Sequence, residues 1–541
     1  MKKTVFDEVA RSDGSAPRRE PTFARDAIAS TPHPFVTECA LEIMRNGGNA
    51  IDAAIGASAV MMCVVPLASH FGGDAFCLVH TAAGAVHAIN GSGAAPAAAT
   101  LEYFRQKGGL PEDGLALSTV PGIAGAWSEL STRFGKKPLL EVLKRAISYA
   151  HSGAPVTERS RVYLENAKKL FSKYPSSAAI FLPDGKVPAV GTMFYQKDLA
   201  RTFERVGTDP DDFYRGDLAR QMASFAEGNG GLLSAADFAR HTTDVGKPLS
   251  VKYRGYTVYS EAPVSRGIVV LLMLNTLKEF DLRGSDPLSA MRLHLMVEAY
   301  KLAMEDAASV GDPREVDVPL ELLLSSEHSQ AQAARIKIEV AGPSVSIPSG
   351  GGTESAVFGD GDGNVVAYIQ SIYMGCGVVM GGTGILMNAR MNGFSLDPQS
   401  PNVLAPRKRP LHTLQNYLVH DGNGELVLAG GSPGGELQAQ INVQVLSNVL
   451  DYGMSVTEAV DQPRFALGGY FPGEEPLLRI ESRVPASVVD ELRRLGHRVQ
   501  TIGPWEPLSG VATHVIARDP RTRIYSGAAE TRRADAIVSG F

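Results

Sequence analysis

Pro343-Ser-Val-Ser-Ile-Pro-Ser-Gly-Gly-Gly352 runs directly into Thr353-Glu-Ser-Ala-Val-Phe-Gly-Asp-Gly-Asp-Gly-Asn364, and that into Val365-Val-Ala-Tyr-Ile-Gln-Ser-Ile-Tyr373. The first segment has no hydrophobic period and ends in three glycines, so it reads as a flexible connector. The next two read as a hairpin, two apolar runs around an Asp-Gly-Asp-Gly-Asn turn. Asp360 and Asp362 lack the further ligands and closing glutamate of an EF-hand loop, so a turn accounts for them better than calcium.

A threonine at such a junction has a specific chemical option. Its hydroxyl can attack the carbonyl of Gly352, exchanging the amide for an ester that water then splits. Thr353 becomes a new N-terminus, whose α-amine has a pKa of about 8 and can serve as general base for the hydroxyl beside it. Glycines suit the bent backbone that the scissile bond requires. The junction alone does not decide the matter, because a plain loop before a strand has the same composition.

Upstream, Thr37–Arg45 is a helix candidate stopped by Gly47-Gly48. Asn49–Ala59 resumes helical spacing, and the apolar run Val60–Val65 ends at Pro66. Ala75–Gly91 reads as two strands joined by a tight turn. Residues 116–300 read as mainly helical, with Leu139–His151 and Leu288–Ala307 as examples, and residues 1–30 as a flexible leader. Downstream, Glu425–Ala429 reads as a strand and Glu436–Tyr452 as a helix. The coarse expectation is a helical first part and a sheet-forming second part, divided at the glycine run. No repeat of 20–50 residues is present.

The 541 residues are 44% hydrophobic and 20% charged, a globular composition, and the net charge of −6 offers no basic field for nucleic acid. Cys39, Cys63, Cys77 and Cys376 form neither a CxxC pair nor a zinc spacing and read as core thiols. No signal-peptide core or membrane-length apolar run occurs, so a soluble cytoplasmic protein without membrane contact is expected.

Several ordered segments resemble the gamma-glutamyltransferase family: Thr353–Asn364, Gly382-Thr-Gly-Ile-Leu-Met-Asn388, Asn392-Gly-Phe-Ser395, Lys408-Arg-Pro-Leu411 and Gly431-Ser-Pro-Gly-Gly435, with Gly47–Ala54, Phe71-Gly-Gly73 and Val120-Pro-Gly122 upstream. The resemblance covers nearly everything from about residue 30 onward. It implies an α/β fold, the four-layer αββα sandwich of the N-terminal nucleophile hydrolases. It also implies a proenzyme cleaved into 31–352, preceded by the leader, and 353–541. The fragments stay together as one intertwined domain, and a dimer of such heterodimers is left open. Thr353 is then the nucleophile, Ser371 a hydroxyl that holds its oxygen, and Gly434 and Gly435 the backbone donors to an oxyanion. No metal or organic cofactor is implied.

The chain departs from the transpeptidases where they grip the glutamyl group. The family's carboxylate-binding arginine segment is Ser92-Gly-Ala-Ala-Pro96, its aspartate pair is Asn392-Gly393, its double serine is His412-Thr413, and its Thr-Thr-His opening is Thr353-Glu354-Ser355. Losing both charged anchors weakens specific glutamyl binding. Asn90-Gly-Ser-Gly93, His412-Thr413 and Phe394-Ser-Leu-Asp-Pro398 are similar to the branch that includes oxamate amidohydrolase. The substrate expected is therefore a gamma-glutamyl compound or a small oxamate-like amide.

Other readings compete. Gly430-Gly-Ser-Pro-Gly434 fits a serine-hydrolase elbow, with His497, His514 and Asp461 following, but Pro433 has no N–H to give an oxyanion. Arg407-Lys408-Arg409 reads either as a carboxylate binder or as a solvated basic turn. His412, Thr413, Tyr373 and Met374 read either as substrate contacts or as structural residues. A non-processing relative that only binds a ligand is the alternative from a different class.

Overall fold

The computed structural model describes residues 19–345, 352–373, 375–468, 476–508 and 511–541. Two seven-stranded sheets pack face to face, and helices cover the outer face of each. This is the αββα sandwich that the sequence implied. The sheet strands, in chain order, are β1 (Thr22–Ala24), β2 (Ala27–Thr31), β3 (Asp74–His80), β4 (Val86–Gly91), β5 (Asp244–Gly246), β6 (Leu249–Tyr253), β7 (Tyr256–Ser260), β8 (Thr353–Asp360), β9 (Val365–Ser371), β10 (Asn416–His420), β11 (Leu426–Gly431), β12 (His514–Arg518), β13 (Tyr525–Ala529) and β14 (Ile537–Gly540). One sheet runs β1-β13-β12-β11-β10-β7-β6, the other β14-β2-β8-β9-β3-β4-β5. Every pairing in both is antiparallel.

The expected hairpin is β8–β9. All eight residues of β8 are buried, because both of its faces are covered. Ala356 and Phe358 join the core shared with α1 (Pro34–Arg45) and α2 (Ala50–Val64), while Val357 points the other way, to Leu418 and Ala429 of the facing sheet. Asn49 caps α2, accepting from Ile51 N and Asp52 N, so the chain restarts a helix after Gly47-Gly48. The Asp360 carboxylate fastens the hairpin turn, accepting from Gly363 N, Asn364 N and Ala50 N at 2.9–3.0 Å. Over the other sheet lie α3 (Gly267–Leu277), α4 (Ala290–Ala307) and α5 (Leu437–Leu450).

Two expectations need correction. The chain does not divide into a helical part and a sheet part: β8 and β9 sit between β2 and β3, and both sheets draw strands from each side of Thr353. The leader is shorter than 1–30, since β1 and β2 lie within it and Ile28 and Ala29 are fully buried. Residues 1–18 of that leader, and 346–351 of the connector, lie outside the described residues. All four cysteines are buried free thiols, as expected. Among the described residues no helix is long and apolar enough to cross a membrane.

Candidate active site

Thr353 opens β8, and its register partner across the hairpin is Ser371, the last residue of β9. Both are buried. The Ser371 hydroxyl donates to the carbonyl oxygen of Gly352 at 2.6 Å and accepts from Tyr373 N at 2.8 Å. Sequence reading put this hydroxyl on the Thr353 oxygen. Its bond in the uncleaved chain is instead to the carbonyl that Thr353 would attack, where a donor polarises C=O and stabilises the charge that develops on it. Close packing fixes the spot: a Cβ on Gly73 would lie 2.4 Å from the Ser371 carbonyl oxygen, so only glycine lets β3 approach.

Gly434 and Gly435 fall between β11 and α5, with φ of +131° and +58°, conformations that favour glycine. Their carbonyls accept from Leu437 N and Gln438 N, whereas neither N–H donates to a backbone carbonyl among the described residues. The two N–H groups lie just before a 14-residue helix, where the backbone dipoles favour negative charge.

A cavity of about 230 Å³ lies next to these elements, and Tyr373, Asn392, His412, Thr413, Arg266 and Glu436 are among its walls. It brings together the predicted Tyr373, His412 and Thr413, with Glu436 next to the Gly434-Gly435 pair. Met374 lies outside the described residues. Tyr373 has φ +62°. His412 is fully buried, its ring 5.1 Å from that of Phe76, and neither ring nitrogen has a partner among the described residues. Burial, reinforced by the charges of Arg390 and Arg409, holds His412 well below the ordinary histidine range, so it is neutral.

Sequence reading missed Arg390 and its partner Asp74. Arg390 Nε lies 3.2 Å from Asp74 Oδ2 in the interior, and its Cζ lies 5.2 Å from the centroid of the Tyr373 ring. Burial raises the Asp74 carboxyl to about 6 against the opposing pull of Arg390 and of the Gly93 N–H. Asn388 shapes the turn by accepting from Arg390 N at 3.0 Å. A signal was present, because Arg390 stands between two of the quoted family segments and the Asn90–Gly93 segment delivers its Gly93 N–H to Asp74 at 3.0 Å.

The competing constellations do not assemble. Ser432 Oγ donates to the Pro433 carbonyl, His514 meets Ser30, His497 meets His294, and Asp461 pairs with Arg19. Lys408 donates to the Pro401 carbonyl and Arg409 is tied to Asp244 and Thr242, so these two are structural, while Arg407 is exposed. His294, Glu298 and His497 bring ligand atoms within 4.8 Å of one another. Protein groups already close that network, since Lys301 Nζ lies 2.8 Å from one Glu298 oxygen and Gly342 N 3.0 Å from the other.

Residues 36–540 match the sequence profile of the gamma-glutamyltranspeptidase family. The chain belongs to that family. It is 36% identical over 491 residues to the glutathione hydrolase-like YwrD proenzyme of Bacillus subtilis, covering 90% of this chain and 93% of the relative. It is 32% identical over 516 residues to the oxamate amidohydrolase proenzyme of Klebsiella pneumoniae, covering 92% and 97%. The crystal structure of cephalosporin acylase from Bacillus halodurans superposes with a TM-score of 0.90 at 34% identity, over 99% of each chain. The gamma-glutamyltranspeptidases are hydrolases and acyltransferases with an N-terminal nucleophile, and this chain is an enzyme of that kind. No observation favours the alternative of a relative that only binds a ligand.

Proposed function

We propose that this gamma-glutamyltranspeptidase-family protein cleaves its own Gly352–Thr353 bond and then hydrolyses a small amide through a threonyl ester. The 2.6 Å hydrogen bond from Ser371 Oγ to the Gly352 carbonyl carries the reading. Thr353 Oγ attacks that carbonyl carbon, Ser371 supports the oxyanion, and the peptide C–N bond breaks as the nitrogen takes a proton. Water hydrolyses the ester, leaving a Gly352 carboxylate and a free Thr353 amine. In turnover that amine removes the hydroxyl proton while Oγ attacks the substrate amide, the Gly434 and Gly435 N–H groups hold the oxyanion, and the leaving amine departs protonated. Water then releases the acid. A transferase mode would need an amine to take the place of that water.

The relatives' names span glutathione hydrolase-like, oxamate amidohydrolase and acylase proenzymes. With Ser92–Pro96 and Asn392-Gly393 lacking the glutamyl anchors, an oxamate-like amide is favoured over a gamma-glutamyl compound. Electrophoresis and intact mass test the first step: the 57.5 kDa chain should separate into fragments of about 37 and 20 kDa, in proportion to residues 1–352 and 353–541. Thr353→Ala should stay whole and inactive. A processed, active Thr353→Ala protein would remove Thr353 from the mechanism.

A further inference from the structure

Arg390 is buried with most of its donors unmet. Its side chain is 1% exposed, yet only Nε is engaged, on Asp74. Nη1 and Nη2 donate to no described residue, and Nη2 is sealed from solvent. A guanidinium offers five N–H donors in a rigid fork, and the open pair of terminal nitrogens is the edge that takes a carboxylate through two parallel bonds. Asp74 takes only Nε, and its other oxygen accepts from the Gly93 N–H at 3.0 Å.

Arg390 lies behind the cavity wall and is not itself one of the described lining residues. Tyr373, whose ring stacks near the guanidinium, is a cavity wall, and Asn392, two residues after Arg390, is another. His412, a third wall, adds an unpartnered neutral imidazole with one donor and one acceptor. Two buried polar groups from separate segments, one lining the cavity and one packed behind its Tyr373 wall, are both short of partners and point to a missing polar ligand. The cavity does not suit an ammonium. Glu436 is the one carboxylate among its described walls, and Arg266 Nε lies 3.5 Å from it.

We propose that Arg390 is the carboxylate anchor of this site and that the acyl donor is the monoamide of a short dicarboxylic acid without an ammonium group. This rests on the amidohydrolase reading above and narrows its substrate class. The carboxylate docks on the two Arg390 terminal nitrogens, His412 donates a further hydrogen bond, and the amide carbon is presented to Thr353.

The test compares succinamate with butyramide, equal in length but with and without the carboxylate, on purified processed enzyme. The kcat/KM ratio of charged to neutral amide should fall about 10- to 100-fold in Arg390→Gln, mainly through KM. Arg390→Lys should recover part of it, since an ammonium keeps the charge but not the fork. Calorimetry with succinate should show the same order of affinity: wild type, then Lys, then Gln. Equal loss for both amides, an unchanged ratio in the Lys and Gln variants, or faster turnover of a gamma-glutamyl anilide than of succinamate overturns the proposal. If the chain is never cleaved and turns nothing over, the hydrolase reading fails. Succinate calorimetry on the intact chain then still decides Arg390, and equal affinity in wild type and variants refutes it.

Discussion

Arg532 and Arg390 are both buried in this protein, but the company they keep is opposite. Arg532 donates to Glu481, to Glu530 at 2.7 Å, and to the carbonyls of Val460 and Gln462 at 3.1 and 2.7 Å. All three of its nitrogens are occupied, and the carboxylates come from two separate stretches of chain. Arg390 has one carboxylate at 3.2 Å and two idle nitrogens. A buried charge with every donor met joins parts of the fold, and removing it strands its partners. A buried charge left half-met is held ready for something that comes and goes.

Three tests would break or sharpen that contrast. The largest effect is expected from Arg532→Met, which leaves buried Glu481 with Arg483 alone and buried Glu530 with Arg464 alone, and should cost about 3–5 kcal/mol of stability in urea denaturation. A loss under about 1 kcal/mol would place Arg532 with Arg390 and erase the distinction. Arg390→Met should cost less, about 1–2 kcal/mol, because Asp74 can take up a proton once its cation is gone. A loss as large as that of Arg532→Met would make Arg390 structural.

The smallest effect is in the pH dependence, where the two sites have opposite signs. Glu530 is buried but held down to about 2, chiefly by Arg532 and then Arg464. Its contribution is therefore full above its ordinary value of 4.5 and is lost as pH falls from there through about 2. Asp74 is raised by burial from 3.8 to about 6. The native state binds that proton first, so its contribution to stability falls as pH rises from 3.8 through about 6. Comparing Glu530→Gln and Asp74→Asn with wild type by urea denaturation between pH 3 and 7 reads both. In Glu530→Gln the acid-side loss should flatten, and in Asp74→Asn the decline toward pH 6 should vanish. A wild-type slope retained in both variants would assign the titration to other groups.

Much of this was legible in the chain. The β8–β9 hairpin follows from its turn chemistry, because the Asp360 side chain does in the structure what an Asx turn does locally. The helices around Asn49 and after Gly435 follow from cap and period. Strand partners were not legible, since a period of two reports which face is buried and not which strand lies alongside. Hence β8 was read as the start of a separate sheet-forming half, when its neighbour is β2. Residues 27–30 were read as leader because a short, uniformly buried run shows no alternation at all. At the site, the sequence singled out Thr353 and Ser371, which the fold pairs across the hairpin, and His412, which it puts on the cavity wall, and the lost glutamyl anchors were visible as substitutions. Arg390 escaped because a lone arginine between family segments carries no spacing signal, and its meaning lies in hydrogen bonds that only the folded chain leaves open.

The position of β8 and β9 inside their sheet bears on what a cut at Thr353 would achieve. Strands from the first 352 residues flank this hairpin on both sides, so severing the backbone there would release an end without releasing a piece. The event would need no second protein molecule, only water, and its rate should not change on dilution of the protein. It would also be unrepeatable, because an amine with no acyl group attached to it cannot rebuild the bond that held it. Each polypeptide would thus carry a permanent mark of having matured, written once and kept in place by the neighbours it folded with.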